Sequence, residues 1–201
     1  MSKLRTAAFI AALLLFNCGS NAFADEQYPH VLKQTPVKGF VTQLLLHPFN
    51  PHRLFAIVRP DGMPKADGRY GLYIFDLSDP SKIRELAYYK LHNPTQLALT
   101  YDYAFVLDTY NQGQEQDAPY GIHILRTFEE PTEIQRAGRI PADAFKMHLS
   151  QDGRLLFFEE RSLQPENKKG LQIYDVSKPW NEKPLTSIQL PARVFGLTTA
   201  A

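Results

Sequence analysis

Apolar and polar residues of this chain recur with a period near 50 residues. The stretch 71–80 (GLYIFDLSDP) returns at 170–179 (GLQIYDVSKP) and, more loosely, at 121–131. The three copies start 50 and 49 residues apart. A unit of this length can hold four short strands and their turns, which is the size of one β-propeller blade. The pattern therefore predicts an all-β repeat protein.

Four strands are predicted in a unit. In the first strands, Leu44, Leu97 and Met147 form an apolar column, and the positions two residues later are apolar as well, so these residues share one face. The second strands are nearly continuous apolar runs, which is typical of strands covered on both faces. The third strand begins at the glycine of the repeated stretch. The predicted first strands are 41–47, 94–100, 145–150 and 195–199, the second strands 54–59, 103–108 and 155–160, and the fourth strands 83–91 and 183–190.

The fold class is therefore a β-propeller-type repeat with about three four-stranded blades and an additional strand at each end, at 28–38 and within 191–201. Three blades cannot close a ring, since propellers typically have at least 4. The terminal strands could form a thin fourth sector, two chains could combine as a homodimer, or the chain could be a shortened copy of a longer protein. The ending, just after an inner strand begins, favours shortening or assembly. One domain is predicted at 25–201, with units at about 39–91, 92–140 and 141–190 and the start of another at 191–201.

Residues 1–24 are predicted to be a signal peptide. Lys3 and Arg5 precede an apolar run at 7–16, and Ala22 and Ala24 are the small residues that a signal peptidase requires. Ten apolar residues are too few for a transmembrane helix, which needs about 20, and no later stretch is longer. The mature protein is therefore expected to be periplasmic or secreted, with no integral membrane segment.

Cys18, the single cysteine, allows lipidation as an alternative export route. The residues before it, Phe16 and Asn17, fit that route poorly because a small residue normally precedes a lipidated cysteine. Cleavage after Ala24 leaves a chain without cysteine, which excludes thiol chemistry and cysteine-bound metals.

Composition excludes several functions. Cleavage removes two of the 22 basic residues and none of the 21 acidic ones, so the mature chain is nearly neutral. Without a basic face, nucleic acid is not expected as a partner. The phosphate-binding glycine loops and the Gly-x-Ser-x-Gly motif are missing from the sequence. We therefore predict no catalytic residue, no metal ligand set and no cofactor.

At the repeated stretches the sequence resembles the LVIVP-repeat proteins, a family of exported bacterial and archaeal proteins. The resemblance covers roughly residues 39–191; it is close at 71–80 and 170–179 and weaker at 121–131. It implies a propeller fold and an extracytoplasmic location. The family has no general catalytic motif, so the resemblance implies no catalytic residue.

A candidate binding face follows from loop lengths. In a propeller, the loops from second to third strands and the crossings between blades emerge at one face, and here these loops (60–70, 109–120 and 161–169) are long. The alternative is that they are tolerated insertions. The candidate binding residues on this face are Tyr70, His92, Asp108, Tyr110, Asp117, Tyr120, Asp143 and Glu160.

Several of these side chains also have a structural interpretation. Arg59 and Asp108, at the ends of two second strands, are expected to form a salt bridge between blades. Tyr70 and Tyr120 either anchor loops or contact a partner. His148 is expected to be packed or to line a channel. A metal site built across blades from His92, Asp108 and Asp143 cannot be inferred from their spacing.

The function predicted from these features is binding of a protein, peptide or glycan by an exported, non-catalytic propeller. The alternative is a propeller enzyme such as a metal-dependent lactonase or a quinone-cofactor dehydrogenase, which rests on fold analogy alone. A third alternative is a truncated remnant of a longer propeller, whose terminal strands would be exposed edges.

Overall fold

The computed structural model describes residues 39–61, 68–109, 120–127, 133–160, 170–177 and 183–188. These residues form β-strands and one short 3₁₀-helix, and no α-helix occurs among them. No helix in these ranges has the length and apolar character that a membrane span requires. The predicted signal peptide, the predicted strand at 28–38, most of the three long loops and the further unit at 191–201 lie outside the described residues.

Three four-stranded antiparallel sheets follow one another along the chain, and each is a simple meander. The first sheet also contains the 3₁₀-helix, Pro80–Lys82, between its last two strands. The sequence prediction of three four-stranded units is thus confirmed. The strands are β1 (Phe40–His47), β2 (Asn50–Arg59), β3 (Gly71–Asp76) and β4 (Arg84–Lys90) in the first sheet; β5 (Pro94–Leu99), β6 (Tyr103–Asp108), β7 (Gly121–Arg126) and β8 (Gln135–Ile140) in the second; and β9 (Ala144–Leu149), β10 (Leu155–Glu160), β11 (Gly170–Asp175) and β12 (Thr186–Ile188) in the third.

The glycine that opens the repeated stretch is required by close packing of the third strand on the fourth. Gly71 has a φ of +152°, and a Cβ on it would lie 1.9 Å from the carbonyl oxygen of Tyr89. Gly121 repeats this geometry, with a φ of +130° and a Cβ position 2.3 Å from the carbonyl oxygen of Ile140. Glycine alone tolerates both the backbone angle and the approach.

The Asp-x-Ser end of the repeated stretch forms a local turn, as the sequence indicates. The Asp76 carboxylate accepts the Ser78 amide at 2.9 Å, and Asp175 accepts the Ser177 amide at the same distance. Such side-chain bonds to an amide two residues later stabilise a reversal after a strand.

The second sheet is packed on both faces. One face meets the first sheet in a cluster that includes Phe55, Leu72 and Val106. The other face meets the third sheet in a cluster that includes Phe105 and Phe158. The second sheet is therefore the centre of the described molecule.

The second strands were predicted to be buried on both faces, and this is confirmed in two of the three sheets. The apolar residues of β6 from Ala104 to Leu107 are fully buried, and those of β2 from Phe55 to Val58 are as well. In β10, Leu156 and Phe158 are buried but Phe157 is only half-buried. The first sheet, also at the end of the array, buries its outer face in a further cluster of Ala56, Val58, Tyr73 and Phe75, whereas the buried residues of β10 belong to the cluster shared with the second sheet.

The first strands of the three sheets lie side by side. The amide of Gln43 in β1 bonds the backbone of Leu97 in β5, and Gln96 in β5 accepts the amide of Met147 in β9. A cavity of about 440 Å³ lies between these inner strands. His148 is one of the residues that line it.

Candidate functional site

The second strands end at one edge of the sheets, which we call the loop edge. Arg59, Asp108 and Glu160 are the last residues of β2, β6 and β10, as predicted. The crossing at 91–93 joins the first sheet to the second at this edge, and the crossing at 141–143 joins the second to the third. The segments that leave β2, β6 and β10 start here too.

Asp108 is the centre of the described part of the loop edge. Its side chain is completely buried. Oδ1 accepts the backbone N–H of Asn93 at 2.6 Å, and Oδ2 accepts that of His92 at 3.0 Å. Hydrogen bonds to an ionised carboxylate are stronger than those between neutral groups. Asp108 therefore fixes the backbone of the crossing between the first two sheets.

A second set of bonds holds the same crossing. The backbone N–H of Thr109 donates to the carbonyl oxygen of Asn93 at 3.1 Å. The Asn93 side chain donates through Nδ2 to the Thr109 hydroxyl at 3.0 Å. The start of the segment after β6 is thus tied to the crossing through both backbone and side chain.

His92 is the exposed member of the group around Asp108. Its Nδ1 lies 3.4 Å from Asp108 Oδ2, and 38% of its side-chain surface is accessible. Its ring meets the ring of Tyr120 edge to face, with centroids 6.1 Å apart. A carboxylate beside one ring nitrogen favours a fixed orientation of the imidazole. The arrangement offers an oriented imidazole and a phenol at the surface, both of which can donate and accept hydrogen bonds.

Sequence reasoning missed His123, a buried residue of β7. Its Nε2 lies 3.9 Å from Asp108 Oδ2, and its ring meets Tyr89 of the first sheet with centroids 6.2 Å apart. The signal available in the sequence was a polar residue inside an otherwise apolar strand. His123 occupies the position of Tyr73 and Gln172 in the other two copies of the repeat.

Tyr70, like Asp108, is largely inaccessible to solvent. The residue is 8% exposed. Its carbonyl oxygen accepts the Leu91 amide at 2.9 Å and the Tyr88 hydroxyl at 2.8 Å. Burial and these bonds favour the anchoring interpretation over contact with a partner.

Two further candidates lie elsewhere along the loop edge. Asp143 is half-buried in the crossing from the second to the third sheet, and Glu160 is half-buried where β10 pairs with β9. Tyr110 and Asp117 lie outside the described residues. The structure thus brings together His92, Asp108 and Tyr120 among the predicted residues.

The expected salt bridge between Arg59 and Asp108 is wrong. Asp108 is buried and its two oxygens are bound by the amides of the crossing. Arg59 is exposed at the end of β2, in the first sheet. A buried carboxylate that already has two amide donors in the crossing needs no arginine from the neighbouring sheet.

In the ranges that the structure describes, no group of three or more histidine, aspartate, glutamate or cysteine side chains could hold a metal ion. Comparison of the chain with known protein families found no match, and comparison with curated proteins found none either. The resemblance to LVIVP-repeat proteins stays a prediction from the sequence.

Proposed function

We propose that this chain is an exported β-propeller-type protein, of the LVIVP-repeat kind, that binds a protein, peptide or glycan through its loop edge without catalysing a reaction. The observation that carries the proposal is the completely buried Asp108 carboxylate, which holds the His92–Asn93 crossing through two consecutive amides. Three meander sheets with their first strands side by side support the propeller part of the proposal.

Preorganisation is the reason that this geometry supports binding. A side chain that is already held in place loses less conformational entropy when a partner docks. His92 is held by Asp108 at its backbone and at its ring, and Tyr120 lies beside it just before β7. Aromatic rings next to rigid polar groups are frequent anchors in binding surfaces.

Export is the second part of the proposal. It rests on residues 1–24 and predicts a mature chain that begins at Asp25, in the periplasm or outside the cell. N-terminal sequencing of the protein recovered from the extracytoplasmic fraction tests this part separately. A chain recovered there with Cys18 as its lipidated first residue would replace it with the lipoprotein route.

The binding experiment uses the purified protein, labelled and applied to an array of polysaccharides and peptides. Spots bound by the wild type are then tested with His92→Ala and Tyr120→Ala. We expect each variant to weaken binding about 10-fold, equivalent to about 1.4 kcal/mol. Circular dichroism and thermal unfolding establish that the variants are folded.

Phe49→Ala is the matched control. Phe49 is an aromatic residue with 67% exposure in the turn between β1 and β2, at the opposite end of the sheets. The proposal requires that this variant bind like the wild type. Loss of binding in Phe49→Ala, with unchanged binding in Tyr120→Ala and His92→Ala, would place the binding surface at the short turns instead.

A further inference from the structure

The cavity between the inner strands has a mostly apolar wall. Its volume of about 440 Å³ lies in the range of about 300–1,000 Å³ that is typical of small-molecule sites. Aspartate, glutamate, lysine and arginine are absent from the described residues that line it. A charged group placed there would lose its hydration without gaining a carboxylate, lysine or arginine as a counter-charge, which is unfavourable. The apolar lining residues are Leu45, Leu97, Ala98, Leu99, Met147 and Leu149.

The first polar residue of this wall, Gln43, has both ends of its side chain bound. Nε2 donates to the carbonyl oxygen of Leu97 at 3.0 Å, and Oε1 accepts the Leu97 amide at 2.8 Å. Gln43 is therefore occupied by the contact between the first two sheets.

Gln96 has the equivalent position in the second unit but holds the next inner strand through one end only. Its Oε1 accepts the Met147 amide at 2.6 Å. This bond fixes the orientation of the side chain, because a backbone N–H needs the oxygen and not the amide nitrogen as its acceptor. In the ranges that the structure describes, no residue accepts a hydrogen bond from Nε2 of Gln96. The wall of the cavity thus contains one oriented amide donor among apolar side chains.

The other polar lining residues have partners already. The Ser150 hydroxyl donates to the Asp152 carboxylate and accepts the Leu155 amide at 2.9 Å. His148 has an interaction of its own in the structure as well. Nε2 of Gln96 is therefore the donor that a molecule in the cavity would meet.

We propose that this cavity binds a small, uncharged and largely apolar molecule that carries a carbonyl oxygen, such as a ketone, ester or amide. Nε2 of Gln96 donates to the carbonyl oxygen, and the apolar body lies against the leucines and Met147. The flexible thioether of methionine adapts well to apolar ligands. An amide donor left without an acceptor is unfavourable, so a carbonyl compound is preferred over a hydrocarbon of the same size. This inference goes beyond the proposed function and does not depend on the loop edge.

The first test uses prodan, an uncharged naphthalene ketone whose fluorescence moves to shorter wavelength in apolar surroundings. It is titrated into the purified full chain, and we expect a saturable blue shift with one prodan bound per chain. Anilinonaphthalene sulfonate, an anionic naphthalene, should not displace it. Failure of prodan to bind saturably, or its displacement by the anionic compound, would overturn the proposal.

Gln96→Glu removes the donor and keeps the contact between the strands. Glutamate retains an oxygen that accepts the Met147 amide, whereas its second oxygen replaces Nε2. We expect the affinity for prodan to fall by about 10-fold or more. Gln135→Glu is the matched control, because it makes the same change at an exposed residue of the outer strand β8 and should bind prodan like the wild type.

Ala98→Leu covers the case in which Gln96→Glu fails to fold. Leu45 occupies the equivalent position in the first unit, so a leucine is compatible with an inner strand there. The larger side chain fills part of the cavity, and we expect prodan affinity to fall by about 10-fold or more. Unchanged affinity in either folded variant would contradict the proposal.

The methyl NMR signal of Met147 tests the location of the probe. The naphthalene ring changes the shielding of a methyl group beside it, so this signal should shift as prodan saturates the chain. Met147→Leu identifies the signal by its disappearance. Saturable binding without a shift would place prodan outside the cavity and overturn the proposal.

Discussion

Gln43 and Leu97 are joined by two hydrogen bonds, one to the carbonyl oxygen and one to the amide of Leu97, although they belong to different sheets. The inner edge of β5 has no neighbouring strand in its own sheet. Backbone groups at such an edge need partners, because unpaired polar groups destabilise the fold when buried. The Gln43 side chain supplies both partners and aligns the first sheet with the second.

Replacement of Gln43 by alanine should lower stability. The variant leaves the Leu97 amide and carbonyl without their partner, and we expect a loss of about 1–3 kcal/mol in the free energy of unfolding. Urea denaturation measures it. Gln135→Ala is the control, because Gln135 is exposed in the outer strand β8 and should change stability little. Equal midpoints for the two variants would mean that Gln43 does not support the contact between sheets.

Asp108→Asn should weaken the crossing between the first two sheets. Asparagine keeps the shape of the side chain. Its amide nitrogen, however, would face a backbone N–H that in the wild type donates to a carboxylate oxygen. We expect a loss of about 1.5–3 kcal/mol and faster hydrogen exchange at His92 and Asn93. Asp102→Asn, at an exposed turn, is the control. Unchanged exchange at these two amides would contradict the central role of Asp108.

Gly71→Ala should prevent correct formation of the first sheet. The added Cβ would lie 1.9 Å from the Tyr89 carbonyl oxygen, and the backbone angle would itself be strained. We expect a loss of more than about 3 kcal/mol, or no folded protein. Gly153→Ala is a graded control: its added Cβ would lie 3.2 Å from a Thr100 methyl group, and about 1 kcal/mol is expected. Thermal unfolding distinguishes the two.

Acid should remove a stabilising contribution of Asp76. The Ser78 hydroxyl, the Ser78 amide and then Arg84 hold the pKa of Asp76 well below its ordinary value of 3.8. A carboxyl with a lowered pKa in the folded state stabilises the fold above the pKa of the unfolded chain, and this stabilisation is lost as the pH falls below it. Wild type should exceed Asp76→Asn in stability at pH 7, and the difference in denaturation midpoint should shrink below about pH 4. A difference independent of pH would contradict this assignment.

Alkali should remove a contribution of Tyr73. Burial, followed by the neighbouring Tyr88, raises the pKa of Tyr73 to about 12, and its hydroxyl donates to the Arg69 carbonyl at 2.6 Å. The neutral phenol is favoured in the folded state, so its contribution is complete below about pH 10 and is lost as the pH rises toward 12. Wild type should lose more stability than Tyr73→Phe between about pH 10 and pH 12. Equal losses of stability in the two proteins would mean that other tyrosines cause the effect.

The repeat explains why much of the fold could be predicted. A period near 50 residues, with a glycine, alternating apolar residues and an Asp-x-Ser turn in each copy, determines strand order because these features are local. The predicted start of β2 was late: the strand begins at Asn50, which pairs with His47 directly across the turn. The signal for that extension was weak because Pro51 and His52 do not follow a strand pattern.

The site was harder to predict because its contacts join distant residues. Asp108 and His92 were candidates because of their positions near the ends of strands. The sequence, however, predicted a salt bridge between Asp108 and Arg59. The equivalent positions of charged residues in the repeat give no information about burial. Because the Asp108 side chain is completely buried, a salt bridge with the exposed arginine is excluded. His123 was missed because its neighbours, Asp108 on the adjacent strand and Tyr89 of the first sheet, are distant in sequence.

The sequence by itself determined the number of four-stranded units, the position of the glycines and the edge at which the second strands end. These depend on backbone geometry within a few residues, which local side chains control. The tertiary structure alone decided which amides Asp108 accepts, which histidines face it and which glutamines reach the next inner strand. Those contacts depend on how the sheets lie against one another, and that arrangement follows from the packing of whole apolar faces rather than from any short stretch of the chain.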